Sequence, residues 1–331
     1  EPVERTVPPP LPLTTARLLK NYTSLSPKTV MNMCQILYQD GHITYMRTDC
    51  AKYSPVFLEK VRLKILELAK GEEYVGDLKA LETTGKHPHE AIRITCLDVA
   101  TVNYTKDPRL NTLYAFIRKN TLQSCMAASR WEDIRVQAVH VVDSAIPPIP
   151  TNPQNPPVFK YTCEIPTFDG WTSFGNPGEA VVLAQERRSQ LLFLRGLKSP
   201  VECLSLKADA VVERPHSHYT EASLIAELEK KGIGRPSTYA YLVDVLLQRG
   251  YVKKADLEGQ EIICWDYAWK KGEMNMKKAD RTIWVGKEKG KLVIQPVGSM
   301  TMQFLQQYFQ ELFSYDYTSR MENELDDIAN G

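Results

Sequence analysis

The sequence predicts a multidomain α+β chain in which a helical stretch, a β-rich stretch and a second helical stretch follow one another. Three observations lead there. From about 20 to 129, apolar residues recur at helical spacing between clear start and stop signals. From 130 to 212, alternation and a proline-rich connection replace that pattern. From 213 to 331 helical spacing returns, and two of its helices, joined by a Gly-containing turn, read as a helix-turn-helix-like element. At 331 residues and 43% hydrophobic content, the chain has length for about two domains and enough apolar surface for a real core.

Residues 1–19 form a proline-rich strand and linker. Their start, EPVERTVPPPLPL, lacks the charged-then-apolar pattern of a signal sequence and reads as the middle of a longer chain. SPKTVMNMCQILYQDG (26–41) reads as a helix, with Ser26 as N-cap, Pro27 in the first position, an apolar face of Val30, Met33, Cys34 and Leu37, and Gly41 as the stop. SPVFLEKVRLKILELAKG (54–71) repeats those signals with Ser54, Pro55 and Gly71, and RLNTLYAFIRKNTLQSCMA (109–127) supplies a third helix. WEDIRVQAVHVV (131–142) alternates, placing Ile134, Val136 and Ala138 on one face of a strand. SAIPPIPTNPQNPP (144–157) connects it to VFKYTCEIP (158–166), and VECLSLKADAVVE (201–213) continues the β reading. TEASLIAELEKKGIG (220–234) is a helix capped by Thr220 and ended by Gly232. RPSTYAYLVDVLLQRGYV (235–252) begins another near Pro236 that ends at Gly250. Residues 253–297 are mixed, charged and strand-like, and SMTMQFLQQYFQELF (299–313) is a further helix.

Bulk numbers exclude some classes. Lys+Arg (41) balances Asp+Glu (40), so the net charge of +1 argues neither for nor against nucleic acid. Seven cysteines without a CxxC pair argue against a disulfide framework and a Cys-rich zinc site. No stretch approaches the roughly 18–20 apolar residues of a membrane span.

Three clusters carry chemistry. In GHITYMRTDC (41–50), an extended backbone would aim Tyr45, Arg47 and Asp49 at one face. A tyrosine phenol, with a free pKa of about 10, needs help to act as a nucleophile. A neighbouring guanidinium favours phenolate and stabilises charge on a phosphoryl group under attack. The same spacing also suits an ordinary polar strand. HPHEAIRIT (87–95) offers His87, His89, Glu90 and Arg93; the two histidines lack the further ligands of a zinc site. YTEASLIAELEKKGIGRPSTYA (219–240) sets Arg235, Ser237 and Thr238 at a helix start, where free N–H groups favour phosphate, or where a helix pair is simply well capped.

Together, and in this order, ITYMRTDC, HEAIRIT and TEAS…GIGRPSTYA resemble the motifs of type IA DNA topoisomerases, as do PLTTARL (12–18), FDGW (168–171) and LFSYDYTSRMENELDDIANG (312–331). The resemblance spans nearly the whole chain. It implies that Tyr45 attacks one DNA strand and joins its 5′ phosphate, that Arg47 and His89 hold the phosphate, and that Thr48 and Asp49 shape the pocket. Glu90 and Arg93 would support the site, with Arg93 also counted among the DNA contacts. Arg235, Ser237, Thr238 and Tyr239 would contact single-stranded DNA. The breakage would be resealed without ATP, relaxing negatively supercoiled DNA. Residues 20–129 would be the helical domain carrying the nucleophile, 130–212 the gate or hinge domain, and 213–331 a single-stranded-DNA-binding domain.

Mg²⁺ would be bound by a Toprim domain outside this sequence, no metal by these residues, so this segment alone is expected not to relax DNA. The implied partner is DNA, with no membrane and a monomeric protein, in the cytoplasm, a viral replication compartment or the nucleus. The departures are Cys50 where the family has serine, Ile94 where it has proline, and a long 253–297 segment similar to inserts in relatives from large DNA viruses. The alternatives are a noncatalytic single-strand-binding relic and a tyrosine recombinase or type IB-like enzyme, which would leave a 3′ link.

Overall fold

The computed structural model describes residues 2–69, 71–84, 88–139, 158–174, 178–197, 202–213 and 216–330. His87 and the proline-rich 144–157 lie outside the described residues. In chain order the elements are β1 (Pro2–Val7), α1 (Thr15–Asn21), α2 (Pro27–Gln39), α3 (Pro55–Ala69), α4 (Arg109–Gln123), β2 (Ser129–Val139), β3 (Val158–Phe168), α5 (Glu179–Gly196), β4 (Ser205–Ala208), α6 (Glu221–Lys230), α7 (Tyr239–Gln248), β5 (Val252–Leu257), β6 (Gln260–Lys270), β7 (Lys277–Val285), β8 (Glu288–Ile294), α8 (Pro296–Tyr308) and α9 (Tyr315–Asn330). Helices mixed with small antiparallel sheets give the expected α+β class.

The helix starts follow local chemistry. Ser26 Oγ accepts the Thr29 N–H at the head of α2, and Pro27 needs no donor there. Thr220 and Ser223 exchange side-chain and backbone hydrogen bonds in a capping box before α6. Gly41, at φ +76°, lets the chain leave α2 in the left-handed region that a side chain would resist.

The chain forms two compact units, both discontinuous: a β-rich unit of Glu1–Pro8, Ala128–His216 and Glu258–Lys287, and a helical unit of Pro9–Ala127, Ser217–Leu257 and Glu288–Gly331. In the β-rich unit, β1–β2–β3 form an antiparallel sheet, with Arg5 opposite Trp131 and Ile134 opposite Cys163. The alternating face of β2 turns inward as expected. Ile134 and Val136 pack against buried Cys163, Ile165 and Leu191. A second sheet, β4–β6–β7, belongs to the same unit.

In the helical unit, β5 pairs with β8. Its core joins Leu13, Leu18, Leu37, Ile43, Met46, Ile92, Ile94 and Leu113 with Ile225, Tyr239, Val243 and Leu292. The stretches 20–129 and 213–331, which sequence patterning separates, thus share one apolar core. Each fully buried Leu or Ile contributes about 1.5–3 kcal/mol, so this shared burial outweighs any single polar contact across it.

Several expectations change. Residues 41–50 are not a ladder strand; Ile43 makes one isolated bridge to Ile94 and the rest is extended chain. Among the described residues of 201–213 only β4 is a strand. Helix α5 interrupts the β-rich stretch, because Ala, Leu, Gln, Glu and Arg dominate its sequence and favour helix over the surrounding pattern. The helix after GIGRPS begins at Tyr239, not at 235. Thr238 Oγ1 accepts the Arg235 N–H, and Arg235 O accepts the N–H groups of Thr238 and Tyr239, which closes a turn first. The last helices run 296–308 and 315–330, with a break where 299–313 was expected to be continuous.

Candidate active site

Three short segments of the helical unit are tied together under the site. Leu13 bridges Ile92, and Ile43 bridges Ile94, so the 91–95 backbone is bonded to both neighbours. Thr15 completes the tie. Its hydroxyl donates to Met46 O (2.8 Å), with Thr48 O at 3.1 Å, and accepts the Thr48 N–H (2.9 Å), while its own N–H donates to Thr48 O (2.9 Å). Thr44 does the same from the other side: its Oγ1 donates to Ala91 O (2.9 Å) and accepts the Arg93 N–H (3.0 Å). A non-ladder backbone is thereby held extended, and its polar groups are satisfied without a sheet.

The consequence is the alternation the sequence suggested. Met46, Thr48 and Cys50 are buried, while Arg47 and Asp49 are exposed and Tyr45 is half-buried. Tyr45, Arg47, Thr48, Asp49 and Cys50 line one side of a cleft of about 190 Å³; Pro88 and His89, then Pro236 and Ser237, line the rest. The Tyr45 ring lies 4.7 Å from the His89 ring, centre to centre, and 5.5 Å from Tyr38, which meets it edge-on. Arg47 makes no hydrogen bond or ion pair among the described residues, and it lines the same cleft as the Tyr45 phenol.

The other expected residues have different places. Glu90 accepts the Ser54 N–H ahead of α3 (3.1 Å) and pairs with Arg93, whose Nε donates to Glu90 Oε2 (3.0 Å). The Arg93 guanidinium lies 3.9 Å over the Phe57 ring and also donates to Ile94 O. Both side chains are spent on the scaffold, and Arg93 is not brought to the cleft.

Thr48 Oγ1 accepts the Cys50 N–H (3.0 Å), which fixes the turn of the cleft wall. Burial pushes the Cys50 thiol up, so it stays protonated at neutral pH. Ile94, where the family has proline, uses its N–H to reach Thr121 Oγ1 (3.4 Å).

Ser237 reaches the cleft, but Thr238 closes its own turn and Tyr239 is buried at 4% exposure. Burial pushes the Tyr239 phenol up to about 12, with the carboxylates of Glu229 and Asp49 adding to it. Arg235 is held by α9: its Nη2 donates to Asp326 Oδ2 (2.6 Å), and Glu322 lies 3.7 Å away. Sequence reasoning did not single out Thr15, Thr44 or Tyr38 as parts of the site. The paired threonines at the start of α1, Thr14 as its cap and Thr15 as its first residue, were the available signal for Thr15.

The Mg²⁺ that the resemblance implies finds no ligand set here. Among the described residues no three His, Cys, Asp or Glu side chains come together to hold a metal. In the cleft Asp49 is the one carboxylate lining the wall, since Glu90 is committed to Arg93 and Ser54.

Comparison with known proteins points one way. A family model described as DNA topoisomerase matches residues 1–264. DNA topoisomerase 1 of Thermotoga maritima is 30% identical over 339 residues, covering 98% of this chain and 45% of that protein. A mimivirus protein named DNA topoisomerase 1 type prokaryotic is 29% identical over 337 residues, covering 98% of this chain and 38% of its own length. The solved structure of full-length topoisomerase I from Thermotoga maritima superposes with a TM-score of 0.64 at 26% identity, over 99% of this chain and 47% of that one. The chain therefore spans less than half the length of these relatives.

Proposed function

Because the chain belongs to the DNA topoisomerase family, of type IA, we propose that it provides the cleaving tyrosine of an ATP-independent isomerase acting on single-stranded regions of negatively supercoiled DNA. One observation carries the reading: a free guanidinium, a phenol, an imidazole and a carboxylate line the same small cleft. Tyr45 Oη attacks the scissile phosphorus and forms a phosphotyrosine ester with the 5′ phosphate. The bond from phosphorus to the 3′ oxygen breaks, and that oxygen takes up a proton. Arg47 stabilises charge on the phosphoryl oxygens. His89, packed at a tilt against the phenol, positions the phosphate, and Asp49 is the candidate acceptor for the phenol proton. Resealing reverses these steps, and the ester conserves the energy of the broken bond.

Ser237 and the Arg235 turn would guide the unpaired strand in, while Thr48, Glu90 and Arg93 support the cleft. Thr238 and Tyr239 support that guiding role from within the turn and the core. Strand passage then needs α1 and α2 to part from α6 and α7. Such an opening would break the Thr14–Glu229 hydrogen bond and the Lys28–Asp244 ion pair that cross this boundary. Mg²⁺, expected on a separate Toprim domain, is outside these steps. This chain by itself, expected to act as a monomer in whichever compartment holds the DNA, would bind single strands without relaxing plasmid. The family assignment sets aside the recombinase and type IB alternative.

The test is covalent trapping. The protein, supplied with the Mg²⁺-binding domain and Mg²⁺, is mixed with end-labelled single-stranded DNA and quenched with denaturant. A 5′-linked adduct that vanishes in Tyr45→Phe is expected. A 3′ link would overturn the mechanism, and binding without any adduct would favour the noncatalytic relic.

A further inference from the structure

A second surface, in the β-rich unit rather than the Tyr45 unit, has a chemistry of its own. In the β6–β7 pair, Glu261 faces Trp284, Ile263 faces Thr282, Trp265 faces Asp280 and Tyr267 faces Lys278. Because side chains alternate along a strand, these residues share one side of the sheet. That side is bare. Ile263 is 63% exposed, Trp265 53%, Trp284 52% and Tyr267 39%, whereas Cys264 on the other side is buried. Two tryptophans left half in water on a regular sheet are the kind of apolar exposure that marks a binding surface.

Cations lie over the rings. Lys278 Nζ lies 4.1 Å from the centre of the Trp265 ring, and Lys287 Nζ lies 5.6 Å from that of Trp284. Neither lysine has a carboxylate partner among the described residues. Their basic neighbours do: Lys277 pairs with Glu273, Lys271 with Glu202 and Arg281 with Asp266.

We propose that this face binds single-stranded nucleic acid, with bases stacked on Trp265, Tyr267 and Trp284 and phosphates met by Lys278 and Lys287. A stacking base takes the lysine's place on the ring face, and the displaced ammonium turns to the phosphate. Trp265 and Tyr267 are two residues apart on one strand, about 6.8 Å, which gives each ring room for its own base. Aromatic stacking tolerates any sequence because every base has a π face, and free lysines complement the phosphates between bases. Glu261 and Asp280 stand on the same face and work against a surface that gathers phosphate by charge alone. Recognition must therefore come from exposed bases, which a duplex hides and an unpaired strand offers. This goes beyond the cleavage reading, because the five contributing residues belong to the β-rich unit and the Tyr45 cleft to the helical one.

The test uses the full chain in a Tyr45→Phe background, which removes covalent capture, and reads oligothymidylate binding by anisotropy and tryptophan fluorescence. The expected result is quenching on binding, a loss of about fivefold or more in affinity for each of Trp265→Ala and Trp284→Ala, and retention of most affinity in Trp265→Phe and Trp284→Phe. An abasic strand of equal length should bind weakly and without quenching. The proposal is overturned by unchanged affinity in the folded double-alanine variant, by equal binding of the abasic strand, or by equal competition from duplex. Self-association that the alanine variants abolish without changing oligonucleotide binding would also overturn it, in favour of a protein interface. Should the alanine variants misfold, quenching in the parent and the phenylalanine variants decide. Adduct trapping fails or succeeds independently of these readouts.

Discussion

Thr15 organises the site without entering it. Its hydroxyl serves two carbonyls and one N–H of the segment that carries Tyr45, at 1% exposure. Thr15→Val keeps the shape and the Thr15 N–H bond to Thr48 O but removes the hydroxyl partner of Met46 O and of the Thr48 N–H, so it should cost about 1–3 kcal/mol by denaturant unfolding. It should also lower adduct yield more than DNA affinity, and Thr15→Ser should restore both. The two motif arginines differ in the same terms. Arg47 is free and exposed, so Arg47→Ala should lower cleavage about 100-fold while shifting stability by no more than about 0.5 kcal/mol. Arg93 is locked to Glu90 with side-chain exposures of 12% and 22%. Arg93→Ala should instead destabilise by about 3 kcal/mol, with cleavage by the folded fraction preserved. Comparing unfolding curves with adduct yields separates the two roles.

At the scale of elements, α9 and the α6–α7 turn hold each other. Lys231 Nζ sits 4.4 Å over the Tyr315 ring, and Glu322 and Asp326 engage Arg235. Gly232, at φ +66°, also leaves room for Ser319, whose Oγ would lie 2.7 Å from any added Cβ. Two carboxylates thus occupy the arginine that sequence reasoning assigned to phosphate. Replacing both, Glu322→Gln with Asp326→Asn, should free Arg235, raise single-strand affinity several-fold and steepen its salt dependence by about one phosphate contact. A lower melting temperature with no gain in affinity would show that Arg235 serves only to dock α9.

At the scale of the molecule, the two units should respond differently to alkali. Burial pushes the thiols of Cys34 and Cys125 and the phenol of Tyr239 up to about 12, and all three belong to the helical unit. Their folded values exceed the unfolded ones, so the protonated forms favour the fold. That stability is intact below about pH 9 and is lost as pH rises toward 12. All five tryptophans, Trp131, Trp171, Trp265, Trp269 and Trp284, lie in the β-rich unit. An alkaline titration should therefore show helix loss by circular dichroism and tyrosinate absorbance before tryptophan emission changes. Coincident transitions would mean that the units unfold as one.

Local chemistry in the sequence determined the helix starts at Ser26 and Thr220, the inward face of β2, and the outward set of Tyr45, Arg47 and Asp49, because caps and alternation depend on residues a few positions apart. It was also enough, through motifs in order, to indicate the family. Tertiary structure alone decided that 41–50 is held extended by Thr15 and Thr44 rather than by a strand ladder, since those hydrogen bonds join residues 31 and more positions apart. It alone decided that Arg93 serves Glu90 and Phe57, that Arg235 faces α9, and that Tyr239 is buried. A side chain's charge and shape can be read from its letter, but which partner neutralises or covers it depends on what the folded backbone brings within a few ångströms.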